Sequence, residues 1–179
     1  MNQPLTTAAI YASGPSLQTL VRSGPPAANI HIAVNTAIFA PLPAMYWVFG
    51  DRSMYERGHH LFDGICVTGL EVAHTLVYDW REFEHLAHQP FRFSIEAALY
   101  FAAFIHVDLV HLFGVDLHGV EDFRGEAIGN RSAERWAIES TLVHQAIHRL
   151  TTVYGMRVCW HRPKSHIAAN TATSTAHSA

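Results

Sequence analysis

An apolar run that breaks at a glycine–proline corner and resumes with helical spacing constrains this chain more than any other feature. Residues 8–12 read as a buried strand, Ser13-Gly14-Pro15 interrupts it, and Leu17, Leu20 and Val21 follow as a helical pattern that stops at Ser23-Gly24-Pro25-Pro26. Gly14 lets the backbone turn with no Cβ in the way, and Pro15 suits a first helical turn, where its missing N–H is no loss. The corner predicts a helix N-terminus aimed at the end of a strand, an arrangement that receives a phosphate or a carboxylate. An ordinary strand-to-helix turn would carry the same letters, so the rest of the chain has to decide.

The same alternation recurs downstream. Residues 29–34 alternate like a strand and end at Asn35. Residues 45–49 form a second β-rich run that ends at Gly50-Asp51, with Asp51 suited to cap a short helix through Glu56. Residues 64–68 and 75–78 read as further strands, and 79–93 as a loop with partial helix. Ser94 is placed to cap an apolar helix to about Ile105, and strand 109–113 follows and ends at Gly114-Val115-Asp116-Leu117. Residues 118–131 are polar and weakly patterned, as in a mobile active-site loop. The longest helix is expected over 132–154, ended by Gly155, with a last strand over 156–160. Strands alternating with helices across short turns predict an α/β fold, a Rossmann-like, doubly wound, mostly parallel sheet in one domain over residues 1–165. Residues 166–179 lack periodicity and read as a disordered tail. In such sheets ligands bind beyond the carboxyl ends of the strands, where Ser13-Gly14, Asn35, Asp51 and Asp116 fall.

Composition narrows the partners. The 179 residues are 49% hydrophobic, enough for one well-cored domain. A formal net charge of −3 and the single lysine, Lys164, provide no basic stripe for a nucleic-acid backbone. The longest apolar run, 97–105, is too short to span a bilayer, and the first residues lack the pattern of a signal peptide. Cys66 and Cys159 fall in strand-like apolar contexts and read as reduced core residues, so the cytoplasm is the expected compartment. Homo-oligomerisation is left open.

On a helical wheel, Ile138, Leu142, Val143, Ala146, Ile147, Leu150, Val153 and Tyr154 form one apolar stripe of the long helix. His144 and His148 share the opposite face at helical ligand spacing but have no third ligand for zinc. Glu139 lies within the stripe with Arg135 one turn earlier. This is either an intrahelical ion pair or a polar patch bordering a ligand cleft, with Arg135 set to meet an anion. His118, two residues past Asp116, is the histidine best placed for acid–base work.

These residues resemble a known pattern. Ala12-Ser13-Gly14-Pro15-Ser16-Leu17 resembles the Gly-x-Gly-Pro-Ser-Leu turn of two related groups. One is the bacterial sialyltransferases that use CMP-sialic acid, and the other the motility-accessory and 6-hydroxymethylpterin pyrophosphokinase-like proteins. Val34-Asn35, Gly50-Asp51, the block from Ser94 to Gly114-Val115-Asp116, and Gly129-Asn130-Arg131-Ser132 before the long helix are similar too. The first glycine of the turn is Ala12 here, and Asn130 stands where the family carries a general-base histidine. The resemblance implies a nucleotide or nucleotide-sugar binding transferase of glycosyltransferase type, with a CMP-type ligand favoured. Ser13, Gly14, Pro15 and Ser16 would form the phosphate site, Asn35 and Ser94 would hold the nucleotide, and Arg135 would meet its charge. Asp51 and Asp116 would position substrate or an optional Mg²⁺, with acid–base help from His118, Asp116 or Glu139. A Mg²⁺-dependent pyrophosphokinase or nucleotidyl-transfer enzyme of the pterin type is a second expectation. With no lysine at hand, Arg52, Arg131 or Arg135 would brace its triphosphate. A non-catalytic nucleotide-binding module is the third, invited by Asn130.

Overall fold

Strand β1 (Thr7–Tyr11) is the hinge of the architecture because both of its faces are buried. Ala8 and Ile10 point to one side of the sheet and Ala9 and Tyr11 to the other, each into its own apolar cluster. The computed structural model describes residues 4–129 and 131–162. Among them, β1 joins β2 (Ile30–Val34), β3 (Tyr46–Val48), β4 (Ile65–Thr68), β5 (Val77–Asp79), β6 (Leu109–Phe113) and β7 (Arg157–Trp160) in one sheet of order β5-β4-β3-β2-β1-β6-β7. Every pairing is parallel. This is the Rossmann-like α/β fold expected, with the strands within two residues of their predicted bounds.

The helices are α1 (Leu17–Ser23), α2 (Arg52–Gly58), α3 (Glu84–Ala87), α4 (Ser94–Phe104) and α5 (Ala133–Val153). Every residue of α4 from Ser94 to Ala102 is buried, as suits a helix with few polar residues; its buried Glu96 accepts from Gln89 Nε2 at 3.1 Å and from the Arg92 amide at 3.2 Å. Its alanines 97, 98 and 102 let it lie close against the sheet, with Val143, Ala146 and Leu150 of α5 in the same cluster. On the other face Leu17 of α1, Tyr55 of α2 and Phe62 pack against Tyr11, Trp47 and Phe49.

Several details differ from the sequence reading. Phe93, in extended conformation, is the N-cap of α4, and Ser94 is its first residue, with no side-chain capping bond. Asp51 does cap α2, but through its backbone conformation rather than its carboxylate. Ser132 caps α5, its Oγ accepting from the Arg135 amide at 3.2 Å. Val153 and Tyr154, read as part of the buried stripe, are 60% and 39% exposed, because they are the last residue and the C-cap of α5, where the helix ends. Cys66 is buried, whereas Cys159 is exposed on β7. The loop expected to be mobile is anchored at its middle. The Phe123 amide donates to the Ser13 carbonyl at 2.9 Å, and the Phe123 ring is buried with Leu17 and Tyr11. The proposed tail, 166–179, and Asn130 lie outside the described residues. Among the described residues no helix is long and apolar enough to cross a membrane.

Between β1 and β6 the chain reverses its direction across the sheet, and here the two strand ends are clamped. The Gly14 amide donates to the Gly114 carbonyl at 2.8 Å. Gly114 adopts a left-handed φ of 68°, which a side chain would resist, and this turns Asp116 back toward the start of α1. There the Asp116 carboxylate accepts from the Ser16 amide at 2.7 Å and from the Ser16 hydroxyl. A Cβ on Gly14 would meet the Gly114 carbonyl at 2.5 Å and the Asp116 carboxylate at 2.6 Å. Gly14→Ala should therefore destabilise the protein by about 2 kcal/mol, as overpacking does. Gly125→Ala, where nothing lies within 4 Å and only a left-handed φ of 79° resists, should cost about half as much. Urea unfolding of both variants checks the ranking.

Candidate functional site

At this clamp the carboxyl ends of β1, β2 and β6 border a cleft, the place where an open α/β sheet receives ligands. Ser13 and Gly14 come from β1, Asn35 from β2, and Asp116 and His118 from β6, while Arg131, Trp136 and Glu139 close it from the start of α5. Its free space is about 50 Å³, room for a few waters. Two larger cavities share its walls. One, of about 250 Å³, lies toward Asp51 and shares Ser13, Asn35 and Arg131, and the other, of about 380 Å³, shares Asp116 and His118.

The glycine–proline corner does not turn its amides toward this space. The Gly14 and Ser16 N–H groups are committed to Gly114 and Asp116, and the Leu17 amide donates to the Gly14 carbonyl. The negative group that the seven-residue helix α1 receives is the chain's own carboxylate. Ser13 and Gly14 line the cleft with their surfaces, and Pro15 and Ser16 stand outside it. The Ser13 hydroxyl donates to the Val34 carbonyl at 3.1 Å.

The cleft's cation is Arg131 rather than Arg135. Arg131 precedes the α5 cap and runs back over the first turn, where its guanidinium donates to Glu139 Oε2 at 3.2 Å and covers the Trp136 ring at 4.7 Å. Arg135 points outward, exposed, over Phe93 at 5.7 Å and away from the cleft. The helical wheel placed Glu139 on the buried side correctly, but an intrahelical partner was the wrong arginine. Burial pushes the Glu139 carboxyl above its ordinary range despite Arg131, and burial likewise pulls the Arg131 guanidinium below its own. In both members burial acts against the attraction between them.

Asn35 adds an unmet demand. It sits at a left-handed φ of 51°, and its Oδ1 is buried without a hydrogen-bond partner among the described residues, as is Thr36 Oγ1 beside it. A buried acceptor without a partner carries a desolvation cost that a ligand donor would remove. Ser94 is buried next to Ile95, which reaches the cleft, but Ser94 itself does not line it. Asp51 is exposed and lines the adjoining cavity. Asp116 is committed to Ser16. Among the described residues no group of three or more His, Cys, Asp or Glu is arranged to hold a metal ion. Sequence reasoning missed Thr36, Trp136 and the cavity around Trp160. Only the position of Trp160 at the end of a strand signalled the last.

No family model matches the chain, and no curated protein matches it. Among solved structures it is similar to the sialyltransferase CstII from Campylobacter jejuni in complex with a substrate analogue, cytidine-5′-monophosphate. That likeness has a TM-score of 0.63 at 14% identity and covers 93% of this chain and 84% of that one. Thiamine pyrophosphokinase from Bacillus subtilis follows, with a TM-score of 0.45 at 14% identity over 87% of this chain and 60% of that one, too loose to bear on the site. At such identity the likeness to the sialyltransferase is one of fold, a Rossmann-like α/β sheet.

Proposed function

We propose that this chain binds a cytidine-type nucleotide or nucleotide sugar at the switch point, as a transferase of glycosyltransferase type. One observation carries the reading: Arg131, desolvated beside Glu139, and Asn35, whose buried Oδ1 has no hydrogen-bond partner among the described residues, line the same cleft at the ends of β1, β2 and β6. Arg131 would meet the phosphate, because a guanidinium fork matches its oxygens and a buried one is short of compensation. Asn35 Oδ1 would accept from a hydroxyl or amino group of the ligand. The cavity toward Thr36 and Asp51 supplies the remaining volume, since the cleft alone is too small for a nucleotide. The CMP preference is supported by the Gly-Pro-Ser-Leu turn and by the cytidine nucleotide held by the similar sialyltransferase.

His118 stands exposed at the mouth of the cleft, within reach of solvent and ligand, and would exchange the proton of the reaction. Asp116 acts as a positioning residue. It fixes the corner through Ser16 and so sets the floor on which the ligand rests. Glu139 holds Arg131 until an anion replaces it.

Calorimetric titration with CMP, with and without Mg²⁺, tests the reading. Arg131→Gln should weaken CMP binding about tenfold or more, as the loss of a charge-assisted bond does. Glu139→Gln should tighten it, because the competing carboxylate is gone. Equal affinity in all three proteins, or binding of ATP with Mg²⁺ in place of CMP, would sink the proposal. Glu139 also leaves a signature in stability. Its folded-state pKa is raised, so its contribution is fully present below the ordinary glutamate range and lost as pH rises through the raised value. The melting temperature of the parent relative to Glu139→Gln should therefore fall across that window.

A further inference from the structure

Across Asp116 and His118 from Arg131 lies the cavity of about 380 Å³, whose far wall is made by Ser140, His144, Trp160 and Arg162. Neither the sequence reading nor the proposed nucleotide site uses these four residues. Yet the wall is built in detail. Trp160, the last residue of β7, donates its indole Nε1–H to the Val115 carbonyl at 3.1 Å, which pins the ring to the end of β6. The Arg162 guanidinium stacks on that ring with its carbon 4.0 Å from the centroid. The chain there is held in place by the His161 amide, which donates to the Leu112 carbonyl at 2.9 Å.

His144 orients the guanidinium from the side. Its ring lies 5.2 Å from that of Trp160. Its Nδ1 lies 2.7 Å from the Ser140 carbonyl, one helical turn back. A carbonyl only accepts, so Nδ1 carries the proton and the other ring nitrogen keeps its lone pair. That Nε2 accepts from Arg162 Nη2 at 3.0 Å. Arg162 is thus fixed by two uncharged rings. Among the described residues it enters no ion pair. The carboxylate that does line the cavity, Asp116, is engaged by Ser16. A guanidinium has five N–H donors in a rigid fork, and one of them is used by His144. Stacking and the bond to His144 have already fixed its orientation, so less freedom is lost when an oxyanion meets the remaining donors.

We propose that this cavity is an oxyanion subsite in which Arg162 receives the carboxylate or phosphate of a second substrate. His118 lines both this cavity and the cleft, so an anionic acceptor seated on Arg162 stands on the far side of that imidazole from the nucleotide. The role of acceptor rests on the transferase reading, whereas anion binding itself does not. It assigns the acceptor a class, an acid, and explains why a second cation sits across the cleft mouth from the first.

The test uses the full chain labelled with ¹⁵N, and inorganic phosphate and malonate as separate probes of the two anion types. The four tryptophans give four indole N–H resonances, and Trp160→Phe identifies the one of interest. Saturable movement of the Trp160 signal by either anion is expected in the parent and in Arg131→Gln. In Arg162→Gln the anion should bind about tenfold more weakly while CMP affinity stays at the parent value. His144→Ala should weaken the anion several-fold by releasing the guanidinium. An anion response that survives Arg162→Gln, or one lost in Arg131→Gln instead, would overturn the subsite, as would the absence of a saturable response to both probes. If CMP fails to bind while the anion response follows Arg162, the nucleotide reading falls and the subsite stands.

Discussion

The contact between the ends of β1 and β6 is the constraint on which the rest of this molecule depends. Two glycines, one hundred positions apart, approach until the amide of Gly14 reaches the carbonyl of Gly114. No side chain fits between them. That approach brings Asp116 onto the first turn of α1, and the carboxylate replaces the external anion for which the corner's residues are suited. The chemistry of an anion-binding helix end is present but satisfied from within. Whatever charged ligand the cleft takes must be met by side chains.

Arg131 is the arginine that lines the cleft, paired there with Glu139. Burial raises the Glu139 carboxyl and lowers the Arg131 guanidinium against the attraction between them. The Trp136 ring beneath the guanidinium keeps it oriented while its partner changes. A second arginine, Arg162 on Trp160, repeats the stacking with no ion-pair partner among the described residues. Two aromatic-backed guanidiniums flank the ends of β6 and α5, with His118 between the cavities they serve.

Much of the architecture was legible along the chain, for reasons that particular elements make plain. Strands β1, β2 and β6 are short apolar runs closed by Gly, Asn or Asp, and a parallel sheet covered on both faces demands such runs. The strongly apolar run that forms most of α4 is buried as a helix of that composition must be. Two residues that line the cleft were legible from their place after a strand, Asn35 directly after β2 and His118 in the turn beyond β6. Reading failed where one local cue stood for a three-dimensional one. Helical spacing pointed to Arg135 as the partner of Glu139, but the connecting loop delivers Arg131 from outside the helix. Serine at 94 suggested a cap, but the backbone enters α4 one residue earlier. The polar loop before α5 looked untethered, although Phe123 buries its ring in the core.

By itself the sequence determined the order of strands and helices, the buried character of α4, and the gathering of polar residues at strand ends. These follow from hydrophobic periodicity and turn chemistry, which act over a few residues at a time. Only the tertiary structure decided which groups meet across the cleft. It placed Asp116 on Ser16, Arg131 on Glu139 and Arg162 on Trp160, and left Asn35 Oδ1 without a partner among the described residues. Such contacts depend on how the loops that flank the elements fold back, and the Ser16–Asp116 contact spans a hundred positions. Their energies turn on desolvation and on ångström-scale approach, neither of which a linear pattern encodes.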